Sequence, residues 1–249
     1  RSGGGDAGIT VILTLLGAFM VLPMVYVIMQ SLKPLDELWM YPPRFYVMNP
    51  SFNNFRDLFS LMNTSWVPFS RYIFNTVLTS VAGTFGHLFI ASMCAYALAK
   101  IKFPGGKVIF KTIQSSLMFH STVTAITSFI IMSAFHMIDT YWAIIVPAWG
   151  YTLGLYLMKN FMDSGVSDAV LESARLDGAN ELRTYWTIAM PMVKPAWLTL
   201  IVYSFQTLWN AGSSISIYSE QFKSFNYAIG QITAGGIQRQ GASAATTVL

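Results

Sequence analysis

Long uncharged, apolar stretches alternate with short polar ones along this chain. The uncharged runs cover residues 7–32, 72–99, 112–138, 140–158 and 195–219. A helix needs about 20 mostly apolar residues to cross a bilayer, and these runs reach or approach that length. Because they are continuously apolar rather than alternating, they favour helices over the strands of a membrane barrel. The pattern predicts an all-α integral membrane protein, a polytopic helical bundle with five visible spans.

Composition supports a membrane protein independently of the pattern. Hydrophobic residues make up 54% of the chain and charged residues only 10%, and the mean hydropathy is +0.50. The first run is too long for a cleavable signal peptide, and no small-residue cleavage site follows it. Residues 241–249 again become small and apolar, so we expect a sixth span to begin there. A lone cysteine, Cys94, excludes a disulfide framework and a thiolate metal site.

The connection between the fourth and fifth runs, residues 159–194, differs from the rest because it concentrates charge. It holds five of the chain's 11 acidic residues: Asp163, Asp168, Glu172, Asp177 and Glu181. A membrane protein that gathers charge in one ordered segment usually presents that segment to a soluble partner. The alternative interpretation is an amphipathic linker that lies on the bilayer surface.

Local signals within this insert predict two short helices joined by a bend. Ser167 is a candidate N-cap for the first helix. Gly178 is its candidate C′ residue, since glycine adopts the left-handed conformation without steric cost. Asn180 can cap a second helix through 186–190, which Pro191 would end or kink.

The placement of Lys and Arg indicates the orientation. The tight connection at 100–107 carries three lysines and no acidic residue, which is typical of a cytoplasmic loop. This orientation places the N-terminus and the 159–194 insert in the cytoplasm. The proline-rich segment 33–70 then becomes an extracytoplasmic cap of short helices and turns. A sequence pI of about 9.1 follows from basic cytoplasmic loops and calls for no nucleic-acid partner.

The insert resembles the EAA signature of bacterial ABC-importer permeases, and its Asp-Gly-Ala form is similar to the MalG-like carbohydrate branch. The matching motif is Glu172-x-Ala174-x-x-Asp177-Gly178-Ala179, with Ile188 and Pro191 at the family's distances. Stretches 31–34, 71–76 and 95–99 resemble other segments of those permeases. The resemblance implies ATPase coupling by the following residues: Glu172, Ser173, Ala174, Asp177, Gly178, Ala179, Ile188 and Pro191. Ser173 stands where the family has alanine, and Ala211 follows Trp209-Asn210 where the family often has an acidic residue.

The resemblance also implies an assembly. The chain would be a single permease domain over 1–249 in the bacterial cytoplasmic membrane, with residues 33–70 as its cap and 159–194 as its coupling insert. Its partners would be a second, MalF-like permease, two ATPase subunits, an extracytoplasmic sugar-binding protein and the sugar itself. This chain would need no cofactor, because ATP and magnesium would be used by the ATPase.

No catalytic constellation is present in the sequence. Gly105-Gly106-Lys107 lacks the remaining residues of a phosphate loop. Polar groups within spans tend to face a cavity or another helix. The candidates for a solute path are Asn75, Gln114, His120, Trp209 and Asn210, and the alternative is ordinary interhelical hydrogen bonding. Two other functions stay open: a permease for a non-sugar solute such as a glycerol phosphate or an amino acid, and a membrane enzyme or signalling platform.

Overall fold

The described part of the chain is helical. The computed structural model describes residues 3–64, 67–119, 121–212, 215–236 and 239–248, and these residues contain no strand. The all-α prediction is therefore confirmed. The α-helices described are α1 (Gly3–Ser31), α2 (Leu35–Leu38), α3 (Asn53–Thr64), α4 (Phe69–Lys100), α5 (Gly106–Ser116), α6 (Ser121–Ala134), α7 (Trp142–Trp149), α8 (Thr152–Gly165), α9 (Asp168–Leu176), α10 (Glu181–Thr184), α11 (Met190–Met192), α12 (Lys194–Trp209), α13 (Phe225–Thr233) and α14 (Gln240–Thr246).

Two compact units make up the chain: residues 1–69 with 227–249, and residues 70–226. In the first unit, α1 exposes apolar side chains along most of its length, including Phe19 and Met20. Such a surface is unfavourable in water and suits the hydrocarbon of a bilayer. The first predicted span is confirmed as a helix.

The described residues of segment 33–70, which are 33–64 and 67–70, form short helices and turns up to the start of α4, as the sequence predicts. The buried Lys33 ammonium donates to the carbonyl oxygen of Arg44. The amide nitrogen of Asn54 donates to the carbonyl oxygens of Ser31, at 2.9 Å, and Lys33, at 2.6 Å. These bonds join the end of α1 to the start of α3, and Leu58 of α3 adds an apolar contribution to the same unit.

The small, apolar tail forms α14 in the same unit. Its Ala242 and Ala245 are buried against Leu58 of α3. Gly241 lies so close to Asn54 that a Cβ at this position would overlap the amide oxygen. The sixth span that the tail would begin stays a prediction.

The second unit is organised around α4 and α12. Helix α12 buries Ala196, Leu200, Ser204 and Leu208 along one face, and this four-residue spacing is typical of a packed helix stripe. Gly154 of α8 lies against Leu200 of α12 and His87 of α4, with no space for a side chain. Small residues therefore let these three helices approach closely, as membrane helices commonly do.

Two of the helices, Ala7–Ser31 and Phe69–Lys100, are long and apolar enough to cross a membrane. A third span results if Glu181–Met192 and Lys194–Trp209, which meet at a bend of 83°, are taken as one. Residues 112–138 and 140–158 were predicted as continuous spans, but they divide into shorter helices: α5 and α6, and α7 and α8. The count of five spans stays a prediction.

The fifth predicted run, 195–219, is helical only as far as Trp209. The continuous helix predicted to 219 is wrong for a specific reason. Asp139, in the left-handed region at φ 60°, accepts hydrogen bonds from the backbone N–H groups of Tyr218, at 3.0 Å, and Ser219, at 2.8 Å. These bonds, with the Ser219 hydroxyl donating to the same carboxylate, hold the end of the run as a turn and lower the pKa of Asp139.

Several polar groups in the interior of this unit have no hydrogen-bond partner among the described residues. They are the hydroxyls of Ser80, Thr84 and Ser204 and the Nε2 atom of His87. Ser80, Thr84 and His87 follow one another at intervals of four and three residues, so they share one face of α4. Buried polar groups normally have hydrogen-bond partners, so we expect water or a neighbouring helix to supply them along this face.

We expect Gly154→Val to lower the free energy of unfolding by about 1–3 kcal/mol, because its side chain would overlap His87 and Leu200. Thermal unfolding in detergent, followed by tryptophan fluorescence, measures this change. Gly17→Val is the matched control, because nothing lies within 4 Å of a Cβ at Gly17. Its effect should stay within about 0.5 kcal/mol. Equal losses at both positions would contradict the close packing of α4, α8 and α12.

Candidate functional site

The charged insert folds as a helical elbow, which we define as residues 168–193. Its first helix, α9, begins after Ser167, whose backbone is extended as at an N-cap although its hydroxyl makes no capping bond. At its end, Gly178 is in the left-handed region at φ 80°. The N–H of Gly178 donates to the carbonyl of Arg175 and the N–H of Ala179 to that of Ala174, both at 3.0 Å. This pair of bonds is a Schellman motif, so Gly178 is confirmed as the C′ residue of α9, and its role in ATPase coupling stays a prediction.

Asn180 begins the second arm of the elbow, as the sequence predicts. Its side-chain oxygen accepts a hydrogen bond of 2.8 Å from the backbone N–H of Arg183. An N-cap bond of this type stabilises a helix by about 0.5–2 kcal/mol. The two arms are therefore joined by a turn that both a C-cap and an N-cap define.

The end of the second arm differs from the prediction at Pro191. After α10, residues Tyr185–Ala189 form a π-helical turn, with Met190 N–H donating to the Tyr185 carbonyl. Pro191 then lies inside α11, and the 83° bend comes at Val193. Because proline has no N–H to donate to the carbonyl four residues earlier, the widened turn before it replaces a regular one.

Three polar contacts attach the elbow to the end of α4. Lys100 forms an ion pair of 2.7 Å with Asp168, at the start of α9. The Tyr96 hydroxyl donates to a carboxylate oxygen of Glu181, at 2.9 Å. The Tyr185 hydroxyl and the Ser92 hydroxyl are 2.6 Å apart and buried. The contacts reach both arms of the elbow, so both are tied to one helix.

An apolar core lies beneath these contacts. It joins the elbow to α4 and α8 and contains the following buried residues: Ala95, Tyr96, Met158, Met162, Val166, Leu171, Tyr185, Ala189, Met190, Val193 and Ala196. Ile188 is half-buried and packs against the same core. Each fully buried large side chain of this kind contributes about 1.5–3 kcal/mol. The elbow is thus a packed part of the second unit.

Charge adds specificity to this attachment more than stability. The Lys100 ammonium lowers the pKa of Asp168, first through its hydrogen bond and then through its charge. The hydrogen bond from Arg175 to Glu181, at 2.7 Å, raises the pKa of Arg175. Both groups are therefore ionised at neutral pH. Because the Asp168 side chain is 85% exposed, the ion pair contributes little to the free energy of folding.

The tip of the elbow is exposed. Glu172, Ser173, Asp177 and Gly178 face outward, whereas Ala174 is buried under them. Leu176 is 86% exposed, a feature that sequence reasoning missed. The sequence contains a signal for this exposure. Leu171 and Ala174 keep the three-residue spacing of the buried face of α9, and Leu176 falls outside that spacing. An apolar side chain surrounded by charges at a rigid tip suits a protein partner.

The solute-path candidates lie apart. Asn75 is buried, and its amide donates to the carbonyls of Gln221 and Lys223 and accepts from the Tyr141 hydroxyl. Gln114 is exposed on α5. Trp209 stacks on Phe205, and the Asn210 amide donates to the Gln206 carbonyl. His120 is outside the described residues. Their role in a solute path stays a prediction.

Two adjoining clefts in the second unit are better placed to hold a small polar molecule. They have volumes of about 640 and 350 Å³ and share Ala125, Ser128, Pro147 and Tyr151. Thr124, Tyr203 and Thr79 add hydroxyl groups. No charged side chain is among the described residues that line either cleft, and none of the four described solute-path candidates lines them. The described part of the chain also contains no cluster of His, Cys, Asp or Glu able to hold a metal ion.

Comparison with known proteins gives relatives that cover most of this chain, and two of them illustrate the similarity. The inner membrane ABC transporter permease protein YcjP of Escherichia coli is 26% identical over 210 residues, which is 84% of this chain and 74% of that protein. The diacetylchitobiose uptake system permease protein NgcG of Streptomyces coelicolor is 25% identical over 201 residues, or 80% of this chain and 64% of that protein.

The fold is also similar to that of a solved structure. A bacterial ABC transporter involved in the import of the acidic polysaccharide alginate matches with a TM-score of 0.80 and 22% identity, over 100% of this chain and 92% of the matched one. The prediction of the ABC-importer permease fold is thereby confirmed.

A family model settles the relationship. It spans residues 87–221. This range includes the end of α4, the whole elbow, and the helices α6, α7, α8 and α12 that contribute to the two clefts. The chain belongs to the family of binding-protein-dependent transport system inner membrane components.

Proposed function

We propose that the chain is the permease subunit of an ATP-driven importer of sugars or oligosaccharides, that it forms half of the translocation path, and that the elbow couples it to an ATPase. The observation that carries the proposal is the elbow itself, which has an exposed tip and a base packed into α4 and α8. Membership of a permease family supports the same conclusion. ATP and magnesium are used by the ATPase, and this chain is not an enzyme.

The assembly that fits the elbow contains this chain, a second MalF-like permease, two ATPase subunits and an extracytoplasmic sugar-binding protein. The elbow tip, with Leu176 and Asp177 around Gly178, enters a groove of one ATPase. Closure of the two ATPase subunits on nucleotide moves the elbow as a rigid lever. The membrane helices follow, and the solute path opens to alternate sides.

The attachment to α4 gives the motion of the elbow a second path into the membrane helices. The first path is through α8 and α12, the helices that precede and follow the elbow in the chain. The contacts of Tyr96 and Lys100 with the two arms extend the moving body to a third helix. Since the Tyr96–Glu181 bond is part-buried and reaches a carboxylate, it resists separation better than the exposed ion pair.

A neutral, hydroxyl-rich solute fits the two clefts. The hydroxyls of Thr124 and Ser128 match sugar hydroxyls, and the rings of Tyr151 and Tyr203 offer faces for a pyranose ring. A glycerol phosphate or an amino acid would need a charged partner, and the described cleft lining contains none. The names of relatives such as NgcG support a sugar.

The family and the charge pattern support a location and an orientation for the chain. The chain is a multi-pass protein of the bacterial cytoplasmic membrane, with its N-terminus and elbow in the cytoplasm. Residues 33–70 then face the binding protein on the other side. Lys100 and Lys102, beside the elbow, lie on the cytoplasmic side in this orientation.

The direct test of solute class is ATP hydrolysis by the co-purified complex in nanodiscs. We expect at least one binding protein loaded with a neutral oligosaccharide to raise the rate several-fold. Glycerol 3-phosphate and amino acids, with their own loaded binding proteins, should leave it at the basal level. Stimulation by a loaded glycerol-phosphate protein would replace the sugar with that solute and would leave the coupling role of the elbow intact.

Gly178→Leu should abolish coupling, because a side chain in the left-handed region costs about 1–2 kcal/mol and the Schellman turn would open. Nothing lies within 4 Å of a Cβ at this position, so steric overlap within the chain is not the cause. Gly178→Asn is the matched control, since asparagine tolerates this backbone conformation. Retention of the ATPase on the tagged permease, with its stimulated rate, measures both variants. Full ATPase retention and a full stimulated rate in Gly178→Leu would contradict the lever mechanism.

Tyr96→Phe tests the route through α4. Loss of the hydrogen bond to Glu181 should lower solute-stimulated hydrolysis about fivefold, the equivalent of roughly 1 kcal/mol, while the ATPase stays bound. Tyr156→Phe is the control, because that tyrosine stacks on Phe110 and its hydroxyl makes no hydrogen bond with a described residue. Equal rates in the two variants would show that the Tyr96–Glu181 bond does not carry the coupling.

A further inference from the structure

An open apolar groove runs along α4 beside the bend between the elbow and α12. Its volume is about 470 Å³. The apolar lining consists of Phe85, Leu88, Phe89, Trp186, Met190 and Trp197, with Pro191, Ser92 and Lys194 completing it. Phe85 is 72% exposed and Trp186 47% exposed. No described residue covers Phe85 or Trp186 fully, so the groove is open to an apolar occupant.

Two polar side chains at the groove already have hydrogen-bond partners. The Ser92 hydroxyl is bonded to the Tyr185 hydroxyl, and the Trp197 indole N–H donates to the Met190 carbonyl, at 3.2 Å. Lys194 differs, because its side chain is exposed and forms no ion pair with any described carboxylate. The groove therefore combines an apolar channel with one available positive charge.

The dimensions of the groove suit a lipid chain. From Phe85 to Ser92, α4 rises by about 10 Å, roughly two thirds of the hydrocarbon thickness of one leaflet. Lys194 begins α12 directly after the bend, and two tryptophans stand next to it. Tryptophan and lysine together are typical of the boundary between hydrocarbon and headgroups.

We propose that this groove binds an anionic phospholipid, with one acyl chain along α4 and the headgroup phosphate on the Lys194 ammonium. Charge complementarity selects the anionic lipid, since a lysine near an anionic bilayer surface contributes about 1 kcal/mol. A zwitterionic lipid gains less from the same contact. The lipid lies against Met190 and Pro191, at the 83° bend through which the elbow is joined to α12. The proposal holds whichever solute the permease carries.

Photolabelling of the intact complex tests the site directly. The probes are phosphatidylglycerol and phosphatidylcholine with the same diazirine-bearing acyl chain, each in nanodiscs of otherwise neutral lipid. We expect phosphatidylglycerol to label peptides from 85–92 and 186–197 about fivefold more than phosphatidylcholine does, the ratio that corresponds to about 1 kcal/mol. Inorganic phosphate at millimolar concentration should not compete, because it lacks the acyl chain.

Lys194→Gln should remove this preference, whereas Lys111→Gln, on exposed α5, should preserve it. Leu88→Trp fills the groove and should lower labelling by both lipids. The proposal is overturned if Lys194→Gln keeps the preference, if Leu88→Trp leaves labelling unchanged, or if the two lipids label equally. It is also overturned if the groove residues take no lipid label and instead crosslink to the partner permease, because the occupant is then a protein helix.

Discussion

The packing of the elbow on α4 is the constraint on which the arrangement of the second unit depends. Charged and polar residues make up much of the elbow surface, yet Leu171, Tyr185 and Met190 enter the same core as Tyr96 and Met158. The apolar contacts supply most of the free energy, and the tyrosine hydroxyls fix the register between the helices. A segment with a polar surface is thus packed into the same core as the membrane helices α4 and α8.

Local chemistry explains what could be predicted from the sequence. Gly178 and Asn180 act within one turn of their own backbone, so their roles follow from residue type and position alone. The apolar runs likewise predict α1 and α4, because length and composition decide whether a helix suits a bilayer. The family signature does not give the exposed face of the elbow, because its Ala174 is buried whereas Glu172 and Asp177 are exposed.

Distant contacts explain what could not be predicted. Asp139 turns the chain at 215–219 through hydrogen bonds between segments about 80 positions apart. The spacing of apolar residues in these segments does not predict such bonds. Asn75 has the polarity of a solute ligand in the sequence, but its amide is occupied by Gln221, Lys223 and Tyr141. The clefts around Ser128 and Tyr151 arise only once α6, α7, α8 and α12 are placed together.

Ser80, Thr84 and His87 place polar side chains along one buried face of α4. A buried polar group that loses its hydrogen-bond partner costs about 1–3 kcal/mol. Any movement of α4 against its neighbours must therefore keep these groups supplied with partners, and this requirement limits the rearrangements that the interior of the second unit permits.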